Sequence, residues 1–342
     1  MKIGTKIIAK DAPVFIIAEL SANHNGSLET ALETIRAAKR AGADAIKLQT
    51  YTADTITLDS DKEDFQIKGT IWEGKNLYQL YQEAYTPWDW HPALFEEAKK
   101  QGLICFSSPF DPTAVDFLES LDAPAYKIAS FEITDIPLIE YVAAKGKPII
   151  ISTGIAELAD IALALDACKR MGNHDIALLK CTSSYPAPIE EANMAMIKDF
   201  TERFGVISGL SDHTMGSTVP IVATALGAKI IEKHFILDRT IGGPDASFSM
   251  DEAEFTQMVR AVREAEKAVG VVDYTLTDKQ RKGKDFSRSL YVVKDIKAGE
   301  TITEAHIKSI RPGFGMHPKH YHEVIGSVAS RDMERGERFL KQ

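Results

Sequence analysis

The sequence predicts an α/β chain that folds as a (β/α)8 barrel, the TIM type, with a small C-terminal module. Three observations carry the prediction. Eight short apolar runs recur through residues 1–270. Amphipathic stretches separate them, and most re-enter a run through a short connection holding glycine. The rhythm then stops, and residues 286–342 read as short strands and turns.

The first run, VFIIAELSANH, opens the fold, and its N-terminal flank has no secretory cleavage pattern. The next seven are AGADAIKLQT, KQGLICFSSPF, LDAPAYKIAS, AKGKPIIISTG, MGNHDIALLKCTS, FGVISGLSDH and LGAKIIEKHF. Each is strand-length and rich in Ile, Val, Leu or Ala, as strands buried on both faces are. SLETALETIRAAKRAG, PALFEEAKKQG and PLIEYVAAKG read as helices between them. In MDEAEFTQMVRAVREAEKAVG, Phe255, Met258, Val259 and Val262 share one helical face. No glycine-rich phosphate loop follows the first run, which argues against a doubly wound open sheet. Residues 271–285, VVDYTLTDKQRKGKD, read as a polar linker.

Composition narrows the function classes. The net charge is −9, from 40 basic and 49 acidic residues, which argues against nucleic acid as the partner. No apolar run is long enough to span a bilayer. Cys105, Cys168 and Cys181 show no paired spacing, so a reducing, cytoplasmic setting is expected. Cys181 reads as a packed residue, and His317, His320 and His322 as a surface loop.

Barrels keep their chemistry at the C-terminal ends of the strands. Here those ends hold Glu19, Ser21, Asn23, His24, Lys47, Gln49, Ser107, Ser108, Lys127, Ser130, Glu132, Ser152, Thr153, Lys180, Thr182, Ser183, Tyr185, Ser211, Asp212, His213, Glu232 and His234. Most of the hydroxyls mark only where polarity begins. The lysines say more, because lysine is almost never buried without a partner. A period of two puts Lys47 and Gln49 on one face and Ile46 and Leu48 on the other. With the aliphatic pair facing the helices, Lys47 points into the barrel mouth. Lys47, Lys127 and the hydroxyls then make a trap for a phosphorylated or carboxylated anion. His213 and His234 stand one strand–helix unit apart, hence on neighbouring strand ends. Two such imidazoles suit an open metal site, with Asp212 and Glu232 as its orienting partners.

The motifs IIAELSANHNGS, GADAIKLQT, FSSPF, AYKIAS, PIIISTG, LLKCTSSYP, GLSDHT, EKHF and RPGFG, taken in order, resemble the sialic acid synthase family. Within it, SDKEDFQIKG, LYQLYQEAYTP and RPGFGMHPKHYHEVIG are most similar to the pseudaminic branch. The resemblance implies a barrel followed by an antifreeze-protein-like (SAF) domain, here residues 286–342. It implies a transferase that joins phosphoenolpyruvate to an amino-sugar aldehyde. For this branch the aldehyde is a 2,4-diacetamido-2,4,6-trideoxy hexose of altro configuration; the sibling branches make N-acetylneuraminic or legionaminic acid. Carried onto matching positions, the phosphoenolpyruvate site is Lys47, Ser108, Lys127, Ser130, Ser152, Ser183 and Ser211. The neuraminic branch commonly has threonine at the Ser108 position and asparagine at the Ser183 position. Sugar contacts fall on Glu19, Gln49, Glu132, Tyr185, Asp245 and Arg311, with Glu132 managing protons at the attacking water. The metal ligands are His213 and His234, holding Mn2+, Mg2+ or Co2+. The family also implies a domain-swapped homodimer in which Arg311 completes the partner's site. Two other readings stand beside this one. A sugar-phosphate synthase would need a second basic cluster, which is not found. A sugar-binding or ice-binding protein leaves the lysines and paired histidines without a purpose.

Overall fold

A computed structural model describes residues 1–340. The chain divides into two units, one spanning residues 1–270 and the other starting at Val271.

The first unit opens with a hairpin, β1 (Lys2–Ile3) and β2 (Lys6–Ile7). Eight parallel strands follow: β3 (Phe15–Glu19), β4 (Ala45–Thr50), β5 (Ile104–Pro109), β6 (Tyr126–Ile128), β7 (Ile149–Ser152), β8 (Ile176–Cys181), β9 (Ile207–Asp212) and β10 (Ile230–His234). They close on themselves, with β10 paired to β3. The first unit is therefore a (β/α)8 barrel. Between the strands run α1 (Leu28–Arg40), α2 (Ala53–Ile56), α3 (Leu77–Ala84), α4 (His91–Gln101), α5 (Pro112–Ser120), α6 (Ile136–Ala143), α7 (Leu158–Arg170), α8 (Met196–Phe204) and α9 (Thr218–Ala225). Helix α10 (Glu252–Val269) follows the last strand.

Local chemistry sets the helix limits. The Ser27 side chain accepts from the Thr30 N–H, and Lys39 and Arg40 close the last turn of α1, where cations oppose the helix dipole. Gly102 and Gly205 take left-handed conformations that stop α4 and α8. The outer faces of the strands pack on the helices: Ile46 and Leu48 join Ile35, Ala38 and Leu94.

The barrel interior is layered by the two-residue period. Its lower layer is apolar, with Ile17, Ala45, Phe106, Ala125, Ile150, Leu179 and Ile230, and Ile3 and Ile8 from the hairpin side pack with it. Full burial of such an aliphatic side chain contributes roughly 1.5–3 kcal/mol, which offsets the cost of the polar layer above. Gly209 belongs to this level, where a Cβ would meet Leu179 and the Ile230 backbone at 2.6 Å. Two residues further along each strand stand Glu19, Lys47, Ser108, Lys127, Ser152, Cys181, Ser211 and Glu232, all buried.

Three stretches differ from their expectation or lay outside it. The segment between β4 and α4 shows no clear period in the sequence, and it forms a long excursion carrying α2 and α3. Residues 271–285, read as a linker, contain α11 (Asp278–Gly283), which starts at a Thr277–Gln280 capping box. All its side chains are exposed, so it has no apolar stripe for a pattern to reveal. His320 and His322 lie in a short helical turn rather than a loop, the latter within α12 (Tyr321–Val324), and His317 caps that turn from the extended residue before it.

The second unit pairs β11 (Ser289–Val292) with β12 (Ile307–Ile310) in antiparallel register. Leu290, Val292, Ile296, Ile302, Ile307, Met333 and Phe339 form its own core.

Candidate active site

The polar layer opens into a cavity of about 320 Å³ at the C-terminal ends of the strands, a size suited to small metabolites. Its floor is an ion network. Lys47 Nζ lies 2.6 Å from Glu19 Oε2 and 3.8 Å from Glu232 Oε1, and Lys127 Nζ lies 3.4 Å from that same Glu232 oxygen. Ser211 donates to Glu232 Oε1 at 3.0 Å, and Lys47 donates to Ser108 Oγ at 3.3 Å. Burial pulls Lys47 down, but Glu19 and Glu232 outweigh it and hold the ammonium above its usual range. Burial lowers Lys127, with Glu232 opposing. Burial raises Glu232, but the two lysines more than reverse that and lower it. Glu19 is left the weaker partner, pushed up by burial to about 7. The lysines thus have counter-charges in the chain itself. An incoming anion competes with carboxylates for ammonium groups already in place and dry, where Coulomb attraction is strong.

Five of the seven residues expected around phosphoenolpyruvate line the cavity: Lys47, Lys127, Ser130, Ser152 and Ser211. Ser152 has a buried hydroxyl without a hydrogen-bond partner, a group a ligand would satisfy. The other two are not among the lining residues. Ser108 receives the Lys47 bond, and Ser183 Oγ is buried without a partner. Gly154 leaves room for Ser183 and Ser130: its N–H donates to Ser130 Oγ, and a Cβ there would lie 2.1 Å from Ser183 Oγ and 2.7 Å from Ser130 Oγ.

At the other side, the rings of His213 and His234 lie tilted to one another with centroids 5.2 Å apart, both edge-on to Phe248. His213 Nδ1 lies 3.0 Å from the Thr182 carbonyl. A carbonyl only accepts, so Nδ1 carries a proton, and in the neutral ring Nε2 keeps its lone pair. Burial lowers His213, but Cys181 and the Thr182 carbonyl outweigh it and hold the imidazole above its usual range. His234 Nδ1 is buried without a hydrogen-bond partner, 3.7 Å from Asp245 Oδ2. Burial, His213 and the lysines drive His234 well below its usual range, so it stays neutral, the form a metal ligand needs. These two residues fit a divalent cation. Among the described residues no group of three His, Cys, Asp or Glu side chains is arranged to hold a metal ion, so a cation held by the two imidazoles would need water or substrate to complete its shell.

Asp212 and Glu232 do not orient the histidines, contrary to expectation. The strand period turns Asp212 outward, where it pairs with buried Lys233 and accepts from Thr214. Glu232 serves the lysines instead. Cys181 is also not simply packed, because its Sγ lies 3.8 Å from His213 Nδ1. Burial pushes the thiol up, but His213, Ser130 and Lys127 outweigh it and bring it down to about 7. Spacing could not show this contact, because it joins residues 32 apart.

Gln49, Glu132, Tyr185 and Asp245 line the cavity. Glu19 lies behind them, accepting from Gln49 at 3.0 Å. Glu132 Oε2 is buried without a partner, and burial pushes this carboxyl up to about 7 against the pull of Lys127. Arg311 is an exposed residue of the second unit.

Residues 34–274 match the family model described as NeuB. The chain belongs to the NeuB family. Residues 287–341 match the SAF domain, which gives the second unit its kind. Family members of known activity cover almost the whole chain. It is 52% identical to a pseudaminic acid synthase of Campylobacter jejuni subsp. jejuni serotype O:23/36 (strain 81-176), over 96% of this chain and 95% of that protein. It is 51% identical to a pseudaminic acid synthase of Helicobacter pylori (strain ATCC 700392 / 26695), over 93% and 94%. Among solved structures, an N-acetylneuraminic acid synthetase of Leptospira borgpetersenii serovar Hardjo-bovis in complex with citrate is similar at 31% identity and a TM-score of 0.73, over 83% of this chain and 94% of that one.

The wall that sequence reasoning missed is aromatic. Tyr51, Trp72, Tyr81, Phe110, Phe131 and Phe248 line the cavity with Tyr185. Trp72 reaches it from the excursion after β4, its indole donating to the Pro244 carbonyl at 3.0 Å and its ring 5.5 Å from Tyr185. The available signal was a lone tryptophan in the polar stretch IKGTIWEGK, since a large aromatic there needs something to cover it.

Proposed function

We propose that this chain is a pseudaminic acid synthase, a transferase that condenses phosphoenolpyruvate with 2,4-diacetamido-2,4,6-trideoxy-L-altrose and water to give pseudaminic acid and phosphate. One observation carries the reading: a single cavity holds a buried lysine pair beside a pair of ligand-ready histidines, under an aromatic wall. Identities of 51 and 52% to pseudaminic acid synthases, against 31% to the N-acetylneuraminic enzyme, support the branch.

Lys47 and Lys127 hold the phosphate and carboxylate of phosphoenolpyruvate, with the hydroxyls of Ser130, Ser152 and Ser211 completing the cradle. His213 and His234 hold a divalent cation, Mn2+, Mg2+ or Co2+, which when bound supplies a Lewis acid for the open-chain aldehyde. Gln49, Tyr185 and Asp245 position the sugar so that its carbonyl carbon faces carbon 3 of phosphoenolpyruvate, and that orientation supplies much of the rate. Forming the carbon–carbon bond turns the aldehyde oxygen into an alkoxide, which takes up one proton to become a hydroxyl, and leaves a cation at carbon 2; the proton lost by the water that adds there balances the one taken up. Water adds there and phosphate departs. Glu132 takes the proton of that water. Such substrates and the absence, among the described residues, of a helix able to cross a membrane suit a cytoplasmic biosynthetic enzyme.

The decisive experiment measures phosphate release from phosphoenolpyruvate with a panel of sugars. The altro trideoxy sugar should exceed N-acetylmannosamine in kcat/KM by at least roughly 100-fold, because polar groups left unpaired in a dry pocket reject the wrong sugar. Comparable values for the two sugars refute the branch.

The Glu132 role fixes a pH dependence. A base must be ionised, so kcat should rise as pH rises through about 7, and Glu132→Gln should abolish that limb. Stability moves the other way. The folded chain binds this proton more tightly than the unfolded chain, so stability is lost as pH rises from the ordinary carboxylate range through about 7. Melts of Glu132→Gln should therefore gain on wild type at pH 8 and not at pH 4.

A further inference from the structure

Ser21 follows β3 at the barrel mouth with φ of 47°, in the left-handed region that a non-glycine residue adopts only where its surroundings impose it. Glycine would take that conformation without steric cost. What serine adds is a hydroxyl, and both of its hydrogen-bonding roles are used. It accepts from Gln49 Nε2 at 2.9 Å and donates to Asp245 Oδ2. Gln49 gives its other N–H to Glu19 Oε1 at 3.0 Å.

An amide has two N–H donors. Both of Gln49's are spent on the wall, so the group it can still offer a ligand is its carbonyl oxygen. Asp245 is held by the Ser21 hydroxyl and the Ala22 backbone N–H, and still lines the cavity. Ionised, it too offers only acceptor atoms. Without the Ser21 hydroxyl, Gln49 loses one of two anchors and Asp245 its side-chain tether. The amide is then free to turn over and present donors where acceptors stood.

We propose that Ser21 is a positioning residue for the sugar: its hydroxyl fixes the Gln49 amide and the Asp245 carboxylate as hydrogen-bond acceptors, so that this side of the cavity takes two donors, hydroxyl O–H or amide N–H, from the acceptor sugar. The inference rests on the proposed synthase reading, and it explains why a strained serine stands where glycine would be easier.

Ser21→Gly and Ser21→Ala test it, with steady-state kinetics for both substrates and thermal melts. Ser21→Gly should melt at or above the wild-type temperature, because it removes the strain, and Ser21→Ala should melt below Ser21→Gly. In both variants the sugar KM should rise roughly tenfold or more, the loss expected for a hydrogen bond to a charged group. The KM for phosphoenolpyruvate should stay within about twofold of wild type, since the lysine network is left in place. Wild-type sugar KM in Ser21→Gly, or an equal rise for both substrates, overturns the inference while the synthase reading stands. Wild-type enzyme that turns over none of the sugars overturns both.

Discussion

Exhaustive chelation, or His234→Ala, is expected to lower kcat by about a thousandfold, the loss of several kcal/mol of charge stabilisation by a Lewis acid. The fold should survive either treatment. His234 ends its strand and its Nδ1 has no hydrogen-bond partner to abandon, so melting should shift little. Two imidazoles are a sparse ligand set, and the site should release its cation readily to a chelator. Mn2+ titration followed by electron paramagnetic resonance gives a readout apart from turnover: wild type should bind the ion, and His213→Ala and His234→Ala should bind it far more weakly. Full activity after complete chelation would sink the assignment. The same variants test the proposed domain-swapped homodimer. A heterodimer of His213→Ala and Arg311→Ala subunits has one intact site if Arg311 serves the partner, and should recover about half of wild-type activity. Heterodimers as inactive as both parents place Arg311 outside the partner's site.

Lys47→Ala should cost stability as well as affinity, and the stability loss should be large. Lys47 and Glu19 are both almost fully buried, with 2.6 Å between their charges. Removing one partner of such a pair strands the other in a dry site, at a cost of about 3–5 kcal/mol. Near pH 7 protonation of Glu19 relieves part of this, since burial already pushes that carboxyl up to about 7. The loss should therefore be larger at pH 9 than at pH 6. Lys47→Met combined with Glu19→Gln removes the stranded charge and should recover most of the melting temperature, because a buried pair exchanged for neutral groups is often tolerated. Phosphoenolpyruvate affinity should not recover, remaining weaker by roughly tenfold or more for want of a charge-assisted bond. Calorimetry on the double variant separates the two effects. Restored affinity there would remove Lys47 from the anion site.

The strand period made part of this readable before any coordinates. Lys47 and Gln49 alternate with Ile46 and Leu48, and the structure turns the first pair to the cavity and the second to the helices. The same period carries Ile17 to Glu19, Ile150 to Ser152 and Ile230 to Glu232, from apolar layer to polar layer. It also misled where neighbours in sequence were taken as neighbours in space. Asp212 and Glu232 flank the histidines by number, yet one points outward to Lys233 and the other inward to Lys127.

What the sequence by itself determined is whatever repeats at short range: the barrel strands, the helices with their caps, which residues share a face, and the family motifs at the strand ends. What the tertiary structure alone decided is partnership. Ser21 meets Asp245 across 224 residues, Trp72 meets Pro244 across 172, and Lys47 finds one carboxylate on each of the two strands next in line around the barrel. Periodicity carries no information about such contacts, because they depend on how the barrel closes and how the loops fold back over its mouth. The charges follow from the same closure. Glu19 and Glu132 are ordinary carboxylates in the sequence, and burial above all, with the nearby charges of Glu232 and Asp135, makes them groups that titrate near neutrality.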